Sequence, residues 1–109
     1  MKLDSSNFRM DYFTRLNSVI AQMKDLMEWI SRYERQRETA KEGLKHATSK
    51  EDRDRYLRNF MYNVVWIRRD RAELDKLSFE EMMLNAQINN YVEYERRVFL
   101  DSWGFLATK

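Results

Sequence analysis

Cysteine and proline are both missing from this 109-residue chain, and glycine occurs only twice, at positions 43 and 104. Without cysteine there is no disulfide and no thiolate metal site, and the redox compartment is left open. Without proline, and with so little glycine, almost nothing interrupts helix formation. Long apolar runs are absent too: none approaches the roughly 18–20 residues a membrane span needs. The opening Met1-Lys2-Leu3-Asp4-Ser5-Ser6 has no apolar core of the secretory type. A soluble, cytoplasmic protein forming a single helical domain over residues 1–109 is the expectation.

Histidine is reduced to one residue, His46, so one chain can build neither a histidine-based metal site nor a Ser/His/Asp triad. No glycine-rich phosphate loop exists. Neighbouring acids such as Glu80-Glu81, or Glu51-Asp52 with Asp54, read as charges favoured at helix starts rather than as acid/base pairs. Arg15, Arg32, Lys45 and Arg53 do not reproduce the arginine and lysine set of the small all-helical chorismate mutases. Gly43 stands where a lysine would help, and Gln87 comes too early. No catalytic residue, metal ligand or cofactor-binding residue is therefore expected, and no cofactor.

What the chain does have is pattern. Charged residues make up 35% and apolar residues 43%, a balance typical of coiled coils and long helical bundles. Leu16, Val19, Met23, Leu26, Ile30, Tyr33, Arg37, Ala40, Leu44 and Ala47 step by alternating threes and fours. So do Arg53, Leu57, Phe60, Val64, Ile67, Arg71 and Leu74. Folded back at residues 47–49, the two series face each other from Leu44/Arg53 to Met23/Leu74. The predicted fold class is all-α: a long antiparallel helical hairpin plus a third helix, an elongated three-helix bundle or coiled coil.

The predicted helices cover about 6–47, about 50–77 and about 79–101, followed by an apolar tail over 102–109. Ser5 or Ser6 can cap the first, and Ser49-Lys50-Glu51-Asp52 resembles a capping box for the second. Ser78 with Glu81, stapled by Leu77 and Met82, marks a start for the third. The competing arrangement is one continuous helix, because Leu74, Leu77, Glu81, Leu84, Ile88, Tyr91, Glu95 and Val98 keep the same rhythm. Gly43 either ends the first helix early or sits inside it. Arg37 and Arg71, at seam positions, are expected to fix register or partner choice, with packed stems and guanidinium groups that reach outward or pair with an acid such as Glu95.

The first helix outruns the second in this register, leaving large apolar side chains without cover. The expected partner is the chain itself, most simply as a dimer, together with another protein. Candidate interface residues are Phe8, Tyr12, Phe13, Leu16, Tyr62, Trp66, Tyr91, Phe99, Trp103 and Phe105. The tail Trp103-Gly104-Phe105-Leu106 either caps the bundle or anchors a partner. Asn85, Gln87, Asn89 and Asn90 form a polar patch suited to hydrogen bonding across an interface.

Charge is uneven. Residues 1–71 carry sixteen Lys and Arg against eleven Asp and Glu, and residues 72–109 carry four against seven. In the first stretch arginines alternate with aromatics. Arg32, Arg35, Arg55, Arg58, Arg68 and Arg69 are candidate nucleic-acid contacts, with neighbouring rings to stack on bases. The leading expectation is a non-enzymatic protein–protein interaction module: an adaptor, assembly factor or inhibitor of a larger protein. The alternative is a nucleic-acid-binding accessory protein using the arginine and aromatic faces of the first two helices.

Overall fold

The computed structural model describes the backbone of residues 5–102 and the side chains of residues 11–102. Two helices, α1 (Ser5–His46) and α2 (Lys50–Ser102), account for all of the described chain except residues 47–49. Neither is long and apolar enough to cross a membrane among the described residues.

The turn is built as its sequence requires. The Asp52 amide donates to Ser49 Oγ at 3.1 Å, and the Arg53 amide to the Ser49 carbonyl at 3.1 Å. One orphan amide at the start of α2 is thus satisfied by a side-chain cap. Glu51 and Asp52 lie in the first turn of α2, Lys45 and His46 in the last turn of α1, the arrangement the helix dipoles favour. His46 is exposed and lies 3.6 Å from Glu42. The expected caps at Ser5 and Ser6 fall outside the described side chains.

The third helix does not exist as a separate element: α2 runs unbroken through residues 77–79 to Ser102. A capping box rewards a helix start but does not force one. Keeping Ser78 inside a helix costs at most about 0.7 kcal/mol relative to alanine. Burying a leucine contributes about 1.5–3 kcal/mol, and Leu77 is buried, as is Leu84 further along. Exposed Ser78 is carried along by its neighbours. Gly43 likewise sits within α1.

Two compact units divide the described chain. Ala21–Ser78 forms one, the turn unit; the described residues before and after it, 5–20 and 79–102, form the other, the terminal unit. In the turn unit the α1 seam is the one read from the sequence. Ile30 and Ala40 are buried, and Met23, Leu26, Tyr33, Arg37 and Leu44 are half-buried. The α2 seam is set one residue earlier than read at three places. Tyr56, Phe60, Asn63, Ile67, Asp70, Leu74 and Leu77 are covered, and Val64 stays half-buried beside Asn63. Arg53, Leu57 and Arg71 are exposed, Leu57 at 47%.

Arg71 therefore sets no seam register from inside. Its Nη2 donates to Glu34 Oε1 at 2.7 Å across the hairpin. Arg37 stays half-buried, with Nε 3.7 Å from Glu38 Oε1. Neither pairs with Glu95 among the described contacts. In the terminal unit Val19 is fully buried and Leu84 nearly so. Arg15 of α1 bonds Glu80 of α2, and this hydrogen bond and the opposing charge raise the arginine's pKa above its ordinary value.

Candidate functional site

A groove in the turn unit gathers residues from both classes of site predicted from the sequence. α1 contributes Arg32, Arg35, Gln36, Thr39 and Ala40; α2 contributes Tyr56, Asn59, Tyr62, Asn63 and Trp66. Its volume is about 560 Å³, within the range of small-ligand sites. The geometry follows from helical spacing. Arg32, Arg35 and Thr39 recur every three or four residues along one flank of α1, and Asn59, Tyr62 and Trp66 do so along the facing flank of α2.

Four aromatic rings run through the hairpin as a file. Trp29 stacks on Tyr33 at 5.8 Å, Tyr33 meets Trp66 at 5.3 Å with a 45° tilt, and Trp66 stacks on Tyr62 at 5.7 Å and 15°. These separations fall where aromatic pairs attract. Trp29 carries the Arg32 guanidinium 4.9 Å from its ring centre, and Tyr56 carries that of Arg55 at 5.0 Å. Tyr62, the last ring in the file, is 51% exposed.

The polar lining is incompletely satisfied. Asn63 is only 4% exposed, and its Nδ2 donates to the Asn59 carbonyl at 2.8 Å. Its Oδ1 is buried without a hydrogen-bond partner. Thr39 Oγ1 donates to the Arg35 carbonyl at 3.0 Å. No carboxylate lines the groove. Among the described residues neither Arg32 nor Arg35 has an ion-pair partner, whereas Arg55 has Asp52 at 3.3 Å and Arg69 has Asp70 at 3.0 Å.

Arg69 is accordingly committed to structure. Its hydrogen bond to Asp70, then that carboxylate's charge, raise its pKa above the ordinary arginine value, with a smaller contribution from Tyr33. Arg58 is exposed and shares a flank of α2 with Arg55 and Tyr62 by spacing. Arg68 is exposed, but its position in the helical rotation sets it away from that flank. Of the six candidate nucleic-acid contacts, the groove lining thus joins Arg32 and Arg35 and leaves out Arg55, Arg58, Arg68 and Arg69.

The candidate interface residues are divided. Tyr62 and Trp66 belong to the groove. Tyr12, Phe13 and Tyr91 come together in the terminal unit, lining a separate cleft of about 310 Å³ with Ile88, Val92 and Glu95. Leu16 is half-buried and Phe99 exposed at 60%. Phe8, Trp103 and Phe105 fall outside the described side chains. Asn85, Gln87, Asn89 and Asn90 are all exposed.

The sequence offers Tyr56 only as a ring flanked by arginines, and the reading missed Asn59 and Asn63 of the groove and the exposed apolar surface of α2 at Phe79, Met82 and Met83. The signal for Tyr56 and Asn63 was present as a seven-residue repeat through Asp70, Leu77, Leu84 and Tyr91. Among the described residues, no group of three or more His, Cys, Asp or Glu residues could hold a metal ion. Compared with known protein families, with curated proteins and with solved structures, the chain has no match.

Proposed function

We propose that this chain is a non-enzymatic helical interaction module that self-associates and acts by binding another protein, as an adaptor, assembly factor or inhibitor, in the cytoplasm. One observation carries the reading: α2 in the terminal unit is apolar on two sides. Leu84, Ile88 and Tyr91 lie on its covered side. Phe79, Met83, Ala86 and Tyr94, with the polar Asn90 among them, also step by threes and fours, roughly 130° away at about 100° per residue. All five are exposed, Phe79 at 60%.

A helix apolar on two faces is normally packed on both. The charges beside this strip do not claim it. Arg96, beside the strip, and Arg97, where the strip ends, lie 3.4 and 3.8 Å from Glu93 on their own helix. Met82 and Met83 add flexible, polarisable side chains that conform to a partner. Sedimentation equilibrium across a concentration series tests self-association directly. A concentration-dependent mass above that of one chain is expected; a single-chain mass at high micromolar concentration removes the proposal.

A further inference from the structure

We propose that the groove of the turn unit binds a nucleoside phosphate, either free or as one residue of a single-stranded nucleic acid. The aromatic base extends the ring file beyond Tyr62 and Arg35 holds the phosphate, with Arg32, now resting on Trp29 at the other end of the file, adding its charge to the groove. This inference stands apart from self-association, which concerns a different unit of the chain.

Charge is the first argument. Two arginines line the groove, no carboxylate does, and neither arginine is neutralised by another described residue. Several neighbouring arginines are paired (Arg55 to Asp52, Arg69 to Asp70, Arg71 to Glu34), while Arg58, on the flank of Tyr62, is exposed without an ion pair among the described residues and adds to the positive field. An uncompensated pair of guanidinium groups three residues apart on one helix favours an anion with several acceptor oxygens, which a phosphate supplies.

The rings are the second. Tyr62 stacks on Trp66 and is half exposed. A base added to such a file gains the stacking that single-strand binders exploit, and a duplex, whose bases are already stacked on one another, cannot. An acidic peptide would satisfy the arginines but would leave the file unextended.

The lining amides are the third. Gln36 and Asn59 each carry both a donor and an acceptor, the combination a base edge requires. Asn63 adds a buried Oδ1 acceptor with no donor. An apolar residue would be the more stable choice at that seam position.

The test is fluorescence anisotropy of the full chain at roughly 50 mM salt with a labelled single strand of about a dozen nucleotides. Adenosine monophosphate, the same strand as a duplex, and a glutamate-rich peptide serve as competitors. Salt-sensitive binding is expected, with competition by the mononucleotide if the free ligand is the natural one, or by unlabelled single strand alone if the strand is. The double variant Arg32→Glu/Arg35→Glu and the variant Tyr62→Ala should each weaken binding by about tenfold or more. Their helical circular dichroism should match the unaltered chain, since all three side chains are exposed. Absence of binding, equal competition by duplex or peptide, or retained affinity in folded variants overturns the proposal. Should a variant lose helicity, Arg35→Gln alone supplies the same readout.

Discussion

The ring of Tyr56 occupies the space where a side chain at Gly43 would begin. This contact joins the two helices next to the turn, and it reverses a general rule. Inside a helix, alanine is favoured over glycine by about 1 kcal/mol. Here the added methyl group meets three atoms of the Tyr56 ring, side-chain atoms that must move for it to fit. Gly43→Ala is expected to lower stability by about 1–3 kcal/mol, the range for overpacking a core. In a Tyr56→Leu background the same change should be neutral or stabilising. Urea melts of the four proteins in this cycle decide it, and equal effects of Gly43→Ala in both backgrounds would refute the packing account.

That contact also explains how far the sequence could be read. The turn, its Ser49 cap and the α1 seam were legible, because an apolar three-four rhythm and a capping side chain are local signals. The register of α2 was legible at Phe60, Ile67 and Leu74 but not at Tyr56, Asn63 and Asp70. Leu57 and Val64 offer an apolar series one residue out of phase with Tyr56 and Asn63, and hydrophobicity alone favours the leucine. What the rhythm cannot weigh is a notch in the opposite helix: Gly43 admits a ring, so Tyr56 goes in and Leu57 is turned out. The false helix start at Ser78 has a related cause. A capping motif is visible in one stretch of sequence, whereas the burial of Leu77 that overrides it depends on α1. The groove then follows from the shifted register, which is why Arg32 and Arg35 were legible as candidates while Asn59 and Asn63 were not.

Asp70 sits in the seam at 5% exposure, and Arg69 Nε donates to its Oδ1 at 3.0 Å. The arginine itself is well exposed, so solvent screens part of the attraction. The larger penalty lies in leaving a buried carboxylate without that donor. Arg69→Ala should therefore lower the denaturant midpoint. Adding Asp70→Leu, which removes the stranded charge and fills the seam, should recover most of the loss. Denaturant midpoints of the single and double variants check this; a double variant less stable than Arg69→Ala would count against it.

Asn63 gives the opposite sign. One end of its amide is bonded to the Asn59 carbonyl, while Oδ1 is buried and unpaired. Removing a buried unsatisfied acceptor relieves a penalty of about 1–3 kcal/mol, and leucine restores apolar contact in the seam. Asn63→Leu is expected to raise the midpoint of thermal unfolding. A polar residue at a seam position also restricts which registers two helices can adopt. The stabilised variant should accordingly populate more than one oligomeric state in sedimentation velocity. A variant of lower stability would show that Asn63 Oδ1 is better accommodated than its contacts indicate.

The exposed strip on α2 makes the sharpest demand. If Phe79 and Met83 are buried by a second copy, replacing them with charges removes apolar contact and forces desolvation of ions at the same place. Central interface residues commonly cost about 2 kcal/mol or more each when truncated. Phe79→Glu with Met83→Lys should thus weaken self-association by about a hundredfold or more. The fold of the chain itself should not suffer, because both side chains face outward in the terminal unit. Opposite charges four residues apart also suit a helix. Sedimentation equilibrium paired with circular dichroism separates the cases. A helical single chain where the unaltered protein is larger locates the interface on this strip, while an unchanged mass places any self-association elsewhere on the molecule.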